Sequence, residues 1–102
     1  MPEKQWKAQE RRIARLLNAR RNPSGNPVAP DVENASLVGE IKVVQELPKY
    51  LVNAVLQSKS KVTGGRLPVV VLVGMTSPLD LLIMDLRDYR DWYVGIPRKE
   101  RR

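Results

Sequence analysis

From Glu3 to Arg20 the chain runs for eighteen residues without Gly or Pro and is rich in strong helix formers, so it predicts a long first helix, stopped at Asn22-Pro23. At about 100° per residue, Trp6, Ile13 and Leu17 fall in one narrow stripe, the expected core face. Glu10 projects onto that stripe, between Trp6 and Ile13. A carboxylate there is expensive to desolvate unless it is paired or bound to metal. Two roles fit it: the partner of an arginine folded across it, such as Arg20 or Arg21, or a member of a catalytic or metal site.

The remaining chain alternates strand and helix signals. Residues 22–27, Asn-Pro-Ser-Gly-Asn-Pro, are dense in turn formers and read as a loop. Ala29–Glu33 starts a strand, Asn34-Ala35 can turn, and Ser36–Val44 gives a second strand, although Asn-Ala is not a strong hairpin turn. Pro48 suits the first turn of a second helix over 48–60, with Leu47, Tyr50, Leu51 and Ala54 facing inward. Leu67–Val73 is apolar on both faces, the pattern of a strand buried on both sides. Thr76–Leu79 is a turn, Asp80–Leu86 a fourth strand, and Arg87–Tyr93 a short closing helix with Trp92 against the core. The expected order is α-β-β-α-β-β-α, an α/β fold with one four-stranded mixed sheet flanked by helices.

Composition narrows the chemistry. A chain of 102 residues is large enough for one modest core. With no Cys and no His, thiolate and imidazole metal sites and a histidine base are excluded, leaving hard oxygen-ligated cations such as Mg²⁺, Mn²⁺ or Ca²⁺. The charged N-terminus gives no sign of a signal peptide, and no apolar run is long enough to span a bilayer, so a soluble, cytoplasmic protein is expected. The net charge of +7 is uneven. Residues 1–21 hold seven Lys/Arg against two acids, and 98–102 hold four against one, whereas 22–97 hold seven against eight. Basic ends around a carboxylate-bearing centre suit a polyanionic partner, with a solubilising surface as the plainer explanation.

The centre itself is Pro30-Asp31 followed by Glu40-Ile41-Lys42. Along an extended chain Glu40 and Lys42 point the same way, as do Asp31 and Glu33. Hydrolysing a phosphodiester requires an activated water and charge stabilisation on the phosphoryl oxygens; a divalent metal supplies both, and two or three carboxylates with a backbone carbonyl can hold it. A lysine beside it can orient the water or neutralise developing charge. Glu-x-Lys alone is a short pattern, which an ordinary Glu–Lys ladder on a surface hairpin also explains.

Taken together, Glu10, Arg20-Arg21-Asn-Pro-Ser24-Gly25, Asp31, Glu40-Ile41-Lys42, Gln57 and Leu67–Val73 follow an order that resembles the PD-(D/E)XK nuclease superfamily, and within it the small Holliday junction resolvase-like nucleases, phage forms included. The resemblance covers residues 6–93, within a nuclease domain of residues 1–97 followed by a basic tail over 98–102. It implies a restriction endonuclease-like core and a Mg²⁺- or Mn²⁺-dependent endodeoxyribonuclease acting on branched DNA as a homodimer, in a bacterial or phage-infected cell. Under it Asp31, Glu40 and the Ile41 carbonyl hold the metal, with Glu10 as a further ligand or the holder of a metal-bound water. Lys42 is the catalytic lysine, and Arg20, Arg21, Ser24 and Gln57 contact DNA or support the site. The short Asp-to-Glu interval leaves Glu33 as a rival to Asp31, and Ser58 stands after Gln57 where Ala is commoner. A nicking, repair or restriction-type nuclease and a non-catalytic basic DNA-binding module are the alternatives.

Overall fold

The structure is a computed structural model that describes residues 3–23 and 27–95. Helix α1 (Glu3–Leu16) is shorter than its sequence suggests. Asn18 adopts a left-handed φ of 51°. The Asn18 N–H donates to the Arg15 carbonyl at 3.1 Å and the Ala19 N–H to the Ala14 carbonyl at 2.8 Å. Those two bonds form a Schellman cap, with Asn in the place Gly usually takes. The turn redirects the chain, so that Arg20–Arg21, expected as the end of the helix, becomes a strand, β1.

β1, β2 (Val32–Glu33) and β3 (Val38–Gly39) form an antiparallel sheet in that order. The rungs are Arg20 with Glu33, Arg21 with Val32, Val32 with Gly39, and Glu33 with Val38. Helix α1 lies against β1 and β2, and between them Val32 and Ala14 form the apolar centre, Val32 with no exposed surface at all. Trp6, Ile13 and Leu17, the expected stripe, are half-buried beside it.

That unit ends at Gln45 and a second begins at Glu46. Helix α2 (Lys49–Ser60) starts directly after Pro48, whose φ of −54° and ψ of 136° place it at the N-cap. Of its expected inward residues, Leu51 and Ala54 are half-buried but Leu47 and Tyr50 are exposed. β4 (Val70–Val73) pairs antiparallel with β5 (Asp80–Ile83), and α2 rests on β4. Helix α3 (Leu86–Gly95) follows, its first turn capped where the Asp85 carboxylate accepts the Arg87 N–H at 2.8 Å. Lys59 reaches Asp85 at 2.8 Å and Asp88 at 3.3 Å, fastening the end of α2 to the start of α3.

The fold is thus a mix of helices and strands in the expected order apart from the extra β1, but the single four-stranded mixed sheet is replaced by two antiparallel sheets. β4 takes its partner from the adjacent segment, through a tight turn closed by the Ser77 N–H on the Gly74 carbonyl at 3.1 Å. A two-stranded ribbon has one covered face at most. Val70 and Leu72 are accordingly half-buried, whereas Val71 and Val73 are exposed, so β4 is not covered on both sides. Trp92, expected inside, is 44% exposed. No helix among the described residues is long and apolar enough to cross a membrane.

Candidate functional site

The β2–β3 hairpin is held by a residue that the sequence pattern marks only as a turn. Asn34 Oδ1 accepts the backbone N–H groups of Ser36 at 2.8 Å and Leu37 at 3.0 Å, while the Asn34 N–H donates to the Leu37 carbonyl at 3.0 Å. None of the turn residues has positive φ, so this is an Asx-type turn rather than a primed hairpin turn. The other end of the same side chain, Nδ2, donates to the Leu17 carbonyl at 3.0 Å and the Asn18 carbonyl at 3.3 Å. One amide therefore sets the hairpin turn and seats it on the C-terminus of α1.

Register follows from that turn. The paired rungs are Val32 with Gly39 and Glu33 with Val38, and Asp31 and Glu40 are the residues immediately beyond them. Just beyond the ladder Asp31 Oδ2 accepts the Ile41 N–H at 2.8 Å. On the other side of β2 the Asn22 N–H donates to the Asp31 carbonyl at 3.0 Å. Asp31 is thereby fixed by its backbone to β1 and by its side chain to the Glu40-Ile41-Lys42 segment. The regular strand ends at Gly39, well short of Val44, yet exposure still alternates: Glu40, Lys42 and Val44 are exposed, Ile41 and Val43 half-buried. Glu40 and Lys42 make no ion pair among the described residues, so the Glu–Lys ladder of an ordinary surface hairpin is not formed.

Gly39 is a second residue that the pattern passes over. A Cβ there would stand 2.8 Å from Val32 Cγ2. The close approach lets the hairpin lie flat over the buried Val32, immediately before Glu40. An isolated Gly inside a strand signal carries that meaning in general.

The rival carboxylate, Glu33, is committed elsewhere. Asn22 Nδ2 donates to Glu33 Oε2, and Arg20 approaches its other oxygen at 3.4 Å. The Asn22 hydrogen bond and the Arg20 charge hold its carboxyl below the usual range. On the ladder Glu33 faces Val38, two residues from Glu40. Geometry therefore separates the two candidates: Asp31 stands at the Glu-x-Lys segment and Glu33 does not.

Glu10 lies on the covered side, 2% exposed, and Arg21 Nε donates to its Oε1 at 2.8 Å. The pairing is the arginine partner named as one of the two sequence alternatives. It leaves Glu10 Oε2 and one terminal nitrogen of Arg21 buried with no hydrogen bond. Gln57 sits on α2 in the second unit, exposed, with its carbonyl accepting the Ser60 hydroxyl at 2.7 Å. Ser24 and the basic tail lie outside the described residues.

The donors at the hairpin are all oxygen: two carboxylates and the Ile41 carbonyl. Mg²⁺ and Mn²⁺ accept such a set, commonly through one or two carboxylates with waters completing the sphere. The Asp31 oxygen not engaged by Ile41 takes no hydrogen bond among the described residues, and Glu40 is exposed. Among the described residues no group of three acidic side chains converges on one point.

No protein-family model matches this chain, and no curated protein or solved structure matches it either.

Proposed function

We propose that this chain is a metal-dependent endodeoxyribonuclease, acting on branched DNA of the Holliday junction kind as a homodimer. The observation that carries the reading is the Asp31 carboxylate accepting the Ile41 N–H at 2.8 Å, which ties it to the Glu40-Ile41-Lys42 segment. Lys42 stands two residues further on the exposed side, with no acidic partner among the described residues.

Asp31, Glu40 and the Ile41 carbonyl hold Mg²⁺ or Mn²⁺ in this proposal. When bound, the cation supplies Lewis acidity at the phosphoryl group. Lys42 brings an ammonium to the same edge, where it steadies the charge that develops on the phosphoryl oxygens and orients the attacking water. Glu33 is paired with Arg20 and hydrogen-bonded to Asn22, and it faces Val38 rather than the Glu-x-Lys segment. Arg20 is exposed enough to contact DNA, whereas Arg21 supports the site from beneath through Glu10. Gln57 and Ser24 keep their DNA-binding assignment from the family resemblance alone. A homodimer would place two such sites across a two-fold junction.

The test is cleavage by purified protein of a four-way junction, a flap, a single strand and a linear duplex, with Mg²⁺ or Mn²⁺ and with EDTA. The expected result is metal-dependent cleavage, fastest on the junction, that falls at least about 100-fold in Lys42→Ala protein of unchanged circular dichroism. Undiminished cleavage by Lys42→Ala overturns the enzyme assignment. Equal rates on junction and duplex overturn the substrate assignment and leave a nuclease of another type.

A further inference from the structure

Both arginines that the family resemblance assigns to DNA are engaged with carboxylates, Arg20 with Glu33 and Arg21 with Glu10. Further positive charge of the first unit lies on α1. Arg11 and Arg15 are exposed, one i,i+4 step apart, and have no acidic partner among the described residues. Arg12, its Nε donating to Gln9 at 2.9 Å, flanks them. Like charges at i,i+4 destabilise a helix by about 0.2–0.5 kcal/mol per pair. That repulsion is relieved by a polyanion laid along the pair.

We infer that this outer face of α1, centred on Arg11 and Arg15, is a docking surface for the phosphate backbone of nucleic acid. Four residues of helix advance roughly 6 Å, so successive arginines can meet separate phosphates of one strand. Arginine forks suit phosphate oxygens in particular. An anionic membrane is the other large polyanion, but a helix that lies in a bilayer surface inserts an apolar face. The apolar face of α1 is already spent on β1 and β2, where Ala14 and Val32 are buried. The docking is to backbone phosphates and reads no bases, so it holds junction and duplex alike. It rests on the nucleic-acid half of the proposed function and is independent of the cleavage chemistry.

The test measures affinity of the full chain for a four-way junction and for a linear duplex in EDTA over a salt series. Removing one arginine–phosphate interaction lowers the slope of log K against log salt by about 0.9. Arg11→Gln/Arg15→Gln, two substitutions that keep helix propensity, is expected to lower the slope by about 1.8 on both DNAs. Arg11→Lys/Arg15→Lys should keep the wild-type slope. Lys49→Gln/Lys61→Gln, which removes the same charge from exposed positions of the second unit, should leave it unchanged. The surface is overturned if the α1 variant keeps the wild-type slope, if both glutamine variants fall equally, or if wild-type protein binds anionic vesicles but not DNA. Loss of cleavage in Lys42→Ala alongside an unchanged slope in the α1 variant would refute this surface while leaving the nuclease reading intact. A lowered slope with undiminished cleavage by Lys42→Ala would do the opposite.

Discussion

The Glu10–Arg21 pair makes a quantitative claim about what holds α1 on its sheet. Glu10 is 2% exposed and meets Arg21 at 2.8 Å, and the arginine side chain is itself 21% exposed. Removing one partner of a buried ion pair strands the other charge in a low-dielectric site, a loss of about 3–5 kcal/mol. The partial exposure of Arg21 argues for the lower end, about 3 kcal/mol. For a domain of this size that corresponds to a fall in Tm of about 12–24 °C. The pair is also imperfect, because Glu10 Oε2 and an Arg21 nitrogen are buried without partners. Replacing both residues with methionine therefore removes two unsatisfied polar groups along with the ion pair, and such replacements are often neutral or better. Glu10→Met and Arg21→Met are each expected to lose about 3 kcal/mol, and the double variant less than about 1 rather than about 6. Urea denaturation of the four proteins closes the cycle, since a shared interaction appears as non-additivity. A double variant that loses the sum of the singles, or singles that lose less than about 1 kcal/mol, would refute the pairing.

Two further expectations follow from other contacts. Gly39→Ala puts a methyl against Val32 Cγ2 at the point where β3 meets the buried centre; overpacking of this kind destabilises by about 1–3 kcal/mol, read by thermal denaturation, and an unchanged Tm would show that the hairpin has room to yield. The Lys59 ammonium, and then the Arg87 N–H, hold the Asp85 carboxyl below its usual range, while Asp85 and Asp88 hold Lys59 above its own. A carboxyl so lowered contributes stability above its unfolded value, near about pH 4, and loses it as pH falls through the folded value. An ammonium so raised contributes below about pH 10 and loses it as pH rises through its folded value. The Tm deficit of Lys59→Met should thus be constant between about pH 5 and 9 and shrink on both sides; a deficit undiminished at about pH 2 would contradict it.

Much of the hairpin is legible in the sequence because its residues act locally. The period-two placement of Glu40 and Lys42 is still visible in their exposure, and Glu10 is buried because it lies on the apolar stripe with Trp6 and Ile13. The turn is harder to read, since Asn34 works through its side chain rather than through positive φ, and its second partners, the carbonyls of Leu17 and Asn18, are distant in sequence. The end of α1 is obscured for a similar reason. Asn18 is an acceptable left-handed cap, but nothing beside it distinguishes it from a helical Asn until Arg20–Arg21 is seen to pair with β2. Strand partners are the least legible part: the apolar run 67–73 signals a strand but not how many neighbours it has, and among the described residues its partner is the next segment alone.

The most direct measurement is Mn²⁺ binding to the purified protein by titration calorimetry, comparing wild type with Asp31→Asn, Glu40→Gln and the double variant. Asn at position 31 keeps an acceptor for the Ile41 N–H, so the hairpin is retained while the charge is removed. If Asp31 and Glu40 hold one cation between them, wild type binds a single Mn²⁺, each single variant loses at least about 10-fold in affinity, and the double variant shows no binding. Wild-type affinity in either single variant would contradict a site shared by Asp31 and Glu40.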